Sequence, residues 1–342
     1  MSGKIKKPKR FKILAILLGV LFVLVAVVYQ NVYGANGFKI TDAEIDSILK
    51  SSSQPASMAE DKPIQAIQQF QLRKIIQTEE DARLALQLVK ASGYEGIELN
   101  GFMIKKVPFI VPVLTWMAGM PTGNSGKLNW LDLIKESGLK VVSIHEDLGS
   151  ILKNTEEIIN EAKAFGTNYI VVTGMFRYDY SDRQAVLQLA EDLNKAGKLL
   201  KQGGINFLYH NHNCEFRRVE TGETAFDLLL EKTNPDYVNF EFDSFWAAEA
   251  GCDAIEWMEK LGSRMKLYHI NDRGNREKGN MGSIIESDGM ELGMGNMNLE
   301  GLISTAKKHG VKAIILETHK NWIDDSPVKS FQISSEYLKK HI

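Results

Sequence analysis

The sequence predicts an α/β protein built as a closed parallel (β/α)8 TIM barrel, on three observations. Short apolar runs rich in β-branched residues alternate with amphipathic helical stretches from about residue 64 to the C-terminus. The alternation completes eight strand–helix units, and consecutive units of this kind imply parallel strands joined by helical crossovers. The first strand–helix turn has no Gly-x-Gly-x-x-Gly fingerprint, and no Gly-x-x-x-x-Gly-Lys-Ser/Thr loop occurs. Both absences argue against an open, doubly wound nucleotide-binding sheet.

The elements follow in order. The first strand is expected over 66–72, although its glutamines make it a poor strand. A helix over 81–91 carries an apolar stripe at Leu84, Ala85, Leu88 and Val89. Strand two is 96–99. A helix over 128–136 stops at Gly138, and strand three, 140–145, ends in His145-Glu146-Asp147. Residues 154–165 read as a helix stopped by Gly166, 169–173 as strand four, and 181–202 as a long helix stopped by Gly203-Gly204. Ile205-Asn206-Phe207-Leu208 is strand five and runs into Tyr209-His210-Asn211-His212-Asn213-Cys214-Glu215-Phe216. A helix over 224–232 leads to strand six, 237–242, followed at once by Asp243-Ser244-Phe245-Trp246. A helix over 253–261 precedes strand seven, 265–270, which contains His269. A long Gly- and Met-rich loop, 273–296, then leads to a helix over 299–309. Strand eight, 312–316, ends in Glu317-Thr318-His319, and a helix over 330–340 closes the chain.

Composition is that of a globular protein, 44% hydrophobic and 25% charged, with a net charge of -2 that offers no basic field to nucleic acid. Two cysteines, Cys214 and Cys252, exclude a disulfide framework and do not form a zinc knuckle. The N-terminus departs from this composition. Lys4, Lys6, Lys7, Lys9, Arg10 and Lys12 precede an uncharged apolar run from Ile13 to Tyr29. That run is near the lower limit for spanning a bilayer, and its basic flank should stay cytoplasmic. Residues 1–34 are therefore expected to be a membrane anchor or a signal sequence, with the anchor preferred. The remainder would be periplasmic or on the outer surface, or secreted if the N-terminus is cleaved. Residues 35–62 read as a linker outside the core fold, with a short helix over 42–50 capped by Thr41. Residues 63–342 form the barrel.

In such a barrel, function gathers at the C-terminal ends of the strands. Here those ends carry Glu98, His145, His210 with His212, Asp243, His269 and Glu317. Solvated loops would show Lys, Ser and Gly as often as His and Asp. An imidazole–carboxylate set suits one borderline divalent ion, Mn²⁺, Zn²⁺, Co²⁺ or Fe²⁺. The expected ligands are His210, Asp243, His269 and Glu317, one from each of strands five to eight. Taken singly, Asp243 also reads as a helix N-cap and His269 as an ordinary core histidine. Glu317 abuts an apolar strand and would be costly to bury unpaired. Glu98, His145, Glu241 and Trp246 are candidates for substrate binding, and Glu317, Glu215 and His212 for proton transfer. Phe176 and Trp322 also follow strand ends, where an aromatic face meets either a sugar ring or plain packing. Arg217, Arg218, Arg273 and Arg276 are the loop cations available to a phosphate.

These residues lie within motifs that resemble the sugar phosphate isomerase/epimerase group of the xylose isomerase-like TIM barrels, which also includes endonuclease IV-type proteins. The resemblance covers about residues 64–342. Its motifs are Gln68-Gln69-Phe70-Gln71-Leu72-Arg73, Gly93-Tyr94-Glu95-Gly96-Ile97-Glu98 and Tyr209-His210-Asn211-His212 with Glu215-Phe216. It continues in Glu241-Phe242-Asp243-Ser244-Phe245-Trp246, His269-Ile270-Asn271-Asp272 and Glu291-Leu292-Gly293-Met294-Gly295. It implies a single divalent metal at the barrel mouth and isomerisation, epimerisation, dehydration or elimination on sugars, inositols or keto-sugars. Many relatives carry Glu as first ligand; here His210 takes that place, with His212 and Glu215 as alternatives. The expected function is a metal-dependent sugar isomerase or epimerase, or a related lyase or dehydratase, working by carbonyl polarisation and proton transfer through an enediolate. The expected partners are a small-molecule sugar or sugar derivative and, through the N-terminal run, a membrane. A homo-oligomer is left open. The rivals are a catalytically inactive, membrane-tethered sugar-binding protein and an endonuclease IV-like phosphodiesterase. The charge balance disfavours the phosphodiesterase.

Overall fold

The computed structural model describes residues 38–51, 62–108, 110–117, 124–175, 178–220, 222–276 and 282–342. Eight strands form the barrel: β1 Ile64–Gln68, β2 Gly96–Asn100, β3 Lys140–His145, β4 Tyr169–Thr173, β5 Asn206–His210, β6 Val238–Asp243, β7 Met265–Ile270 and β8 Ala313–Leu316. Each pairs in parallel with its neighbours in sequence. β8 pairs with β1, from Ile64–Ala313 to Ile67–Leu316, and closes the ring. The predicted (β/α)8 barrel is thus the observed fold.

The barrel turns sequence alternation into a site. Side chains along a strand point alternately to its two faces. Ala66, Val142, Val171, Leu208, Leu267, Ala313 and Ile315 form a small apolar cluster of their own, apart from the larger core between strands and helices. Two residues further along the same strands come Gln68, Thr173, His210, His269 and Glu317. Register brings Glu98 beside Gln68, Glu241 beside His210 and Asp243 beside His269. A register shift between Ile97 and Glu98 pairs Glu98 with Ser143 and brings Asn100 beside His145. The inside of the barrel is therefore apolar at its base and carries acids and imidazoles at its mouth.

Several elements differ from expectation for local physical reasons. β1 occupies 64–68 rather than 66–72. The Gln68 side chain accepts from Phe70 N at 2.7 Å and turns Gln69–Leu72 into a 3-10 helix. The helix expected over 154–165 is present as Thr155–Ala164, and a short helix that the pattern did not announce, Leu148–Lys153, precedes it and meets it at Asn154. The closing helix begins earlier, at Pro327, because Ser326 caps it by accepting from Lys329 N. The β2 loop holds two helices that the pattern did not announce, Gly101–Ile104 and Ile110–Met117. Part of the expected linker joins the fold. Helix Asp42–Ser51, with Thr41 at its start as expected, buries Ile48 and Glu44 against the barrel's outer helices. Ser326 Oγ donates to Glu44. The expected anchor, residues 1–34, and residues 52–61 of the linker lie outside the described residues. Among the described residues, no helix is long and apolar enough to cross a membrane.

Candidate metal centre

Seven charged or imidazole side chains converge at the barrel mouth; His145 and Glu317 are about a tenth exposed and the other five have a negligible exposed area. The ligand atoms of His210, Asp243, His269 and Glu317 lie within 4.8 Å of one another. A second group, Glu98, His145, Glu241 and His269, satisfies the same limit and shares His269 with the first. The four residues expected to meet therefore do meet, and three further candidates stand beside them.

His269 is the hub. Its Nδ1 lies 2.9 Å from Glu317 Oε2 and 3.8 Å from Asp243 Oδ2. Its Nε2 lies 2.6 Å from Glu98 Oε1 and 3.4 Å from Glu241 Oε2. His145 Nε2 is 3.0 Å from both Glu98 Oε1 and Glu241 Oε2. Glu98 is held further by Ser143 Oγ, which donates to it, and by Gln68 Nε2 at 3.2 Å. Asp243 divides its oxygens. Oδ1 accepts from Phe245 N and Trp246 N at 2.7 and 3.2 Å, capping helix Ser244–Glu249. Oδ2 is buried with no hydrogen-bond partner, as are His210 Nδ1 and Glu241 Oε1. The cap and the ligand readings of Asp243 are thus compatible, each using one oxygen.

Charge explains why these orphaned atoms are informative. Burial opposes the charged form of every group here. It would raise Glu98, yet charged His145 and His269 outweigh it and hold Glu98 well below the carboxylate range. Glu317 is likewise held low against burial, by His319 and His269. Burial and the neighbouring Glu317 push Asp243 up to about 7. Burial and Glu98 do the same to Glu241, also to about 7. Burial disfavours a proton on His145, but Glu98 and Glu241 raise it to about 10. Burial is overcome in the same way at His269, which Glu241 and Glu98 raise well above its ordinary value. His210 goes the other way, lowered by burial and by His269. Two imidazolium charges, on His145 and His269, face four buried carboxylates, of which burial and like charge push Asp243 and Glu241 toward neutrality. A dication would add positive charge among them, and Asp243 Oδ2, which has no hydrogen-bond partner, would be free to hold it. The donor set fits a divalent metal.

The other candidates divide. His212 borders the centre: its ring stands 5.2 Å from that of His210 and 5.4 Å from Trp246, and Thr173 Oγ1 lies 3.2 Å from its Nδ1. Burial and His210 lower its pKa to about 4. Glu215 is fully buried and accepts from three donors. Tyr209 OH donates to Oε1 at 2.7 Å, and His212 N and Cys214 Sγ donate to Oε2 at 2.9 and 3.2 Å. Tyr180 OH pairs with Tyr209 OH at 2.8 Å behind it. Glu215 therefore anchors the His212 loop through three accepted hydrogen bonds. Trp246 lines a cleft of about 120 Å³ together with Glu317, His319 and Phe245. Trp322 is packing: its Nε1 donates to Thr318 O at 2.9 Å, and Arg73 lies over its ring. Phe176 lies outside the described residues. Arg273 and Arg276 are paired with Glu249 and Glu291. Cys214 and Cys252 are both free thiols.

Two residues at the mouth escaped the sequence reading. His319 Nε2 lies 2.8 Å from Glu317 Oε1, and its ring packs against Phe70 and Trp246. Arg73 is buried, donating to Phe70 O and His319 O at 3.0 and 2.6 Å. The signal for His319 was its place two residues after Glu317.

Comparison with known proteins agrees with this architecture. The family described as xylose isomerase-like TIM barrel matches residues 86–341. An inosose dehydratase of Mesomycoplasma hyopneumoniae (strain 7448) is 27% identical over 206 residues, 55% of this chain and 61% of that protein. The match thus spans less than two thirds of that relative's length. The crystal structure of a sugar phosphate isomerase/epimerase from Parabacteroides distasonis superposes with a TM-score of 0.63 at 21% identity, covering 84% of this chain and 98% of that one. The IolI protein with a bound zinc atom superposes with a TM-score of 0.57 at 14% identity, covering 82% and 99%.

Proposed function

The chain belongs to the xylose isomerase-like TIM-barrel family, and on that premise we propose that it is a divalent-metal-dependent enzyme acting on a ketone or aldehyde of a sugar or cyclitol. The observation that carries this reading is the convergence of His210, Asp243, His269 and Glu317 within 4.8 Å, with Asp243 Oδ2 buried and lacking a hydrogen-bond partner. These four side chains are the ligands in this reading. When bound, a divalent cation supplies Lewis acidity toward a carbonyl oxygen. The zinc of the IolI structure and the dehydratase and isomerase names of the relatives support the same class of chemistry.

The chain's own groups do the rest. Glu98, Glu241 and His145 border the ligand set and offer hydrogen bonds to substrate hydroxyls. Trp246 and His319 wall the adjoining cleft. With Glu317 engaged as a ligand, we assign removal of the proton next to the carbonyl to His212. Burial keeps that ring neutral, and the Thr173 hydroxyl on Nδ1 fixes its orientation. In isomerisation or epimerisation the proton returns to carbon or oxygen of the same substrate. In dehydration a hydroxyl on the next carbon leaves as water, taking a proton from an imidazolium such as His145. The dehydratase relative favours elimination as the second reading. Sugar in deuterated solvent tests both: the enzyme should wash deuterium into the carbon next to the carbonyl. His212→Gln should abolish that exchange while leaving metal content intact, whereas Glu317→Gln should lose both. Exchange retained in His212→Gln would remove His212 from the role.

A further inference from the structure

We propose that the rim of the barrel bearing the metal centre rests against a lipid bilayer, with the chain entering that rim from the membrane. Large apolar side chains are usually covered, and where several are exposed together they mark an interaction surface. Five of them lie on two rim loops. Ile110, Leu114 and Met117, on the helix after β2, are 57, 46 and 71% exposed. Ile284 and Ile285, in the loop after β7, are 92 and 44% exposed. The closed strand order sets β8 and β1 between β7 and β2.

The chain enters in that gap. Phe38 N donates to Lys74 O, just beyond the 3-10 turn that follows β1. Glu44 accepts from Ser326, which follows β8 and starts the last helix. Ser47 lies beside Gln332, further down that helix, so helix Asp42–Ser51 runs away from the rim. Phe38, the first described residue, therefore lies on the mouth side, between the two apolar loops in strand order. A few residues upstream, the sequence holds the uncharged apolar run Ile13–Tyr29 behind its basic flank. A run of that kind inserts in a bilayer, and so short a tether holds the rim at the surface. Apolar loops at that depth lie in the interface, as the buried face of an interfacial helix does. The lipid surface is the occupant these positions fit.

The test uses the full chain in vesicles of phosphatidylethanolamine and phosphatidylglycerol, read by hydroxyl-radical oxidation of native methionines. Met294 is the internal reference. It is 44% exposed and lies outside both apolar stretches, and the adjacent Gly293 lies against Tyr337 of the last helix. Uncovered, Met117 should oxidise faster than Met294, in line with its greater exposure. Against a bilayer it should be protected at least about fivefold relative to Met294. Leu114→Asp combined with Ile284→Asp should restore its oxidation while the chain stays with the vesicles. Met117 oxidising as fast as Met294 would overturn the proposal. So would protection that disappears at one copy per vesicle, which would identify a second copy as the cover, or protection unchanged by the two aspartates.

Discussion

Asp243 shows how one side chain serves two purposes without compromise. One carboxylate oxygen ends a helix and the other is held bare inside the mouth. Asp243→Asn should keep the cap, because an amide oxygen caps almost as well, and should lose metal. Normal ion content in that variant with unchanged thermal stability would exclude Oδ2 as a ligand. The raised value of the ligand Asp243, about 7, sets a pH dependence. Its carboxyl must release a proton before it ligates, as must the His269 imidazolium, which is itself raised, so affinity falls as pH drops through about 7. Metal titration by calorimetry between acid and neutral pH checks this; affinity unchanged across that window would contradict it. Glu215, by contrast, is a positioning residue. Removing one buried acceptor from its three donors should cost about 1–3 kcal/mol. Glu215→Leu should therefore lower the melting temperature and reduce turnover through a displaced His212 while metal content persists.

At the scale of elements, close packing of helix on strand fixes the barrel. A Cβ on Gly197, in the long helix Arg183–Gln202, would stand 2.2 Å from Tyr237 O, the residue just before β6. Backbone cannot yield as a side-chain tip does. Gly197→Ala should therefore destabilise the fold by about 1–3 kcal/mol, read by denaturant midpoint, despite the better helix propensity of Ala. A midpoint equal to or above wild type would place the helix further from the barrel. Ile48 argues the same for the N-terminal helix. Fully buried, it should cost about 2–5 kcal/mol when cut to alanine, although the helix precedes the barrel and reads as linker. Its sequence is short and polar, and it earns its place only through contacts with the helices at either end of the barrel. Those contacts are distant in sequence, which is why composition missed them. The same reasoning covers β1, where glutamines blurred a strand end that a Gln68 side-chain cap defines. β3 to β8 were legible because β-branched runs stop abruptly at Gly, His or acid.

For the whole molecule, closure is what makes the site. Strands far apart in sequence become neighbours, so His210, Asp243, His269 and Glu317 read as single polar residues in the chain and as one cluster in the barrel. The period-two pattern foretold their common face. It did not foretell that Glu98, His145 and Glu241 would form a second group around the same His269, nor that Glu215 would accept from Tyr209, His212 N and Cys214. Those depend on register and on side-chain hydrogen bonds across the mouth. The most direct test of the account is elemental analysis of the purified chain after loading and dialysis, alongside Asp243→Asn and Glu317→Gln. The account predicts one divalent ion per wild-type chain and a marked loss in each variant. A wild-type protein that retains no ion, or variants that retain it in full, would contradict it.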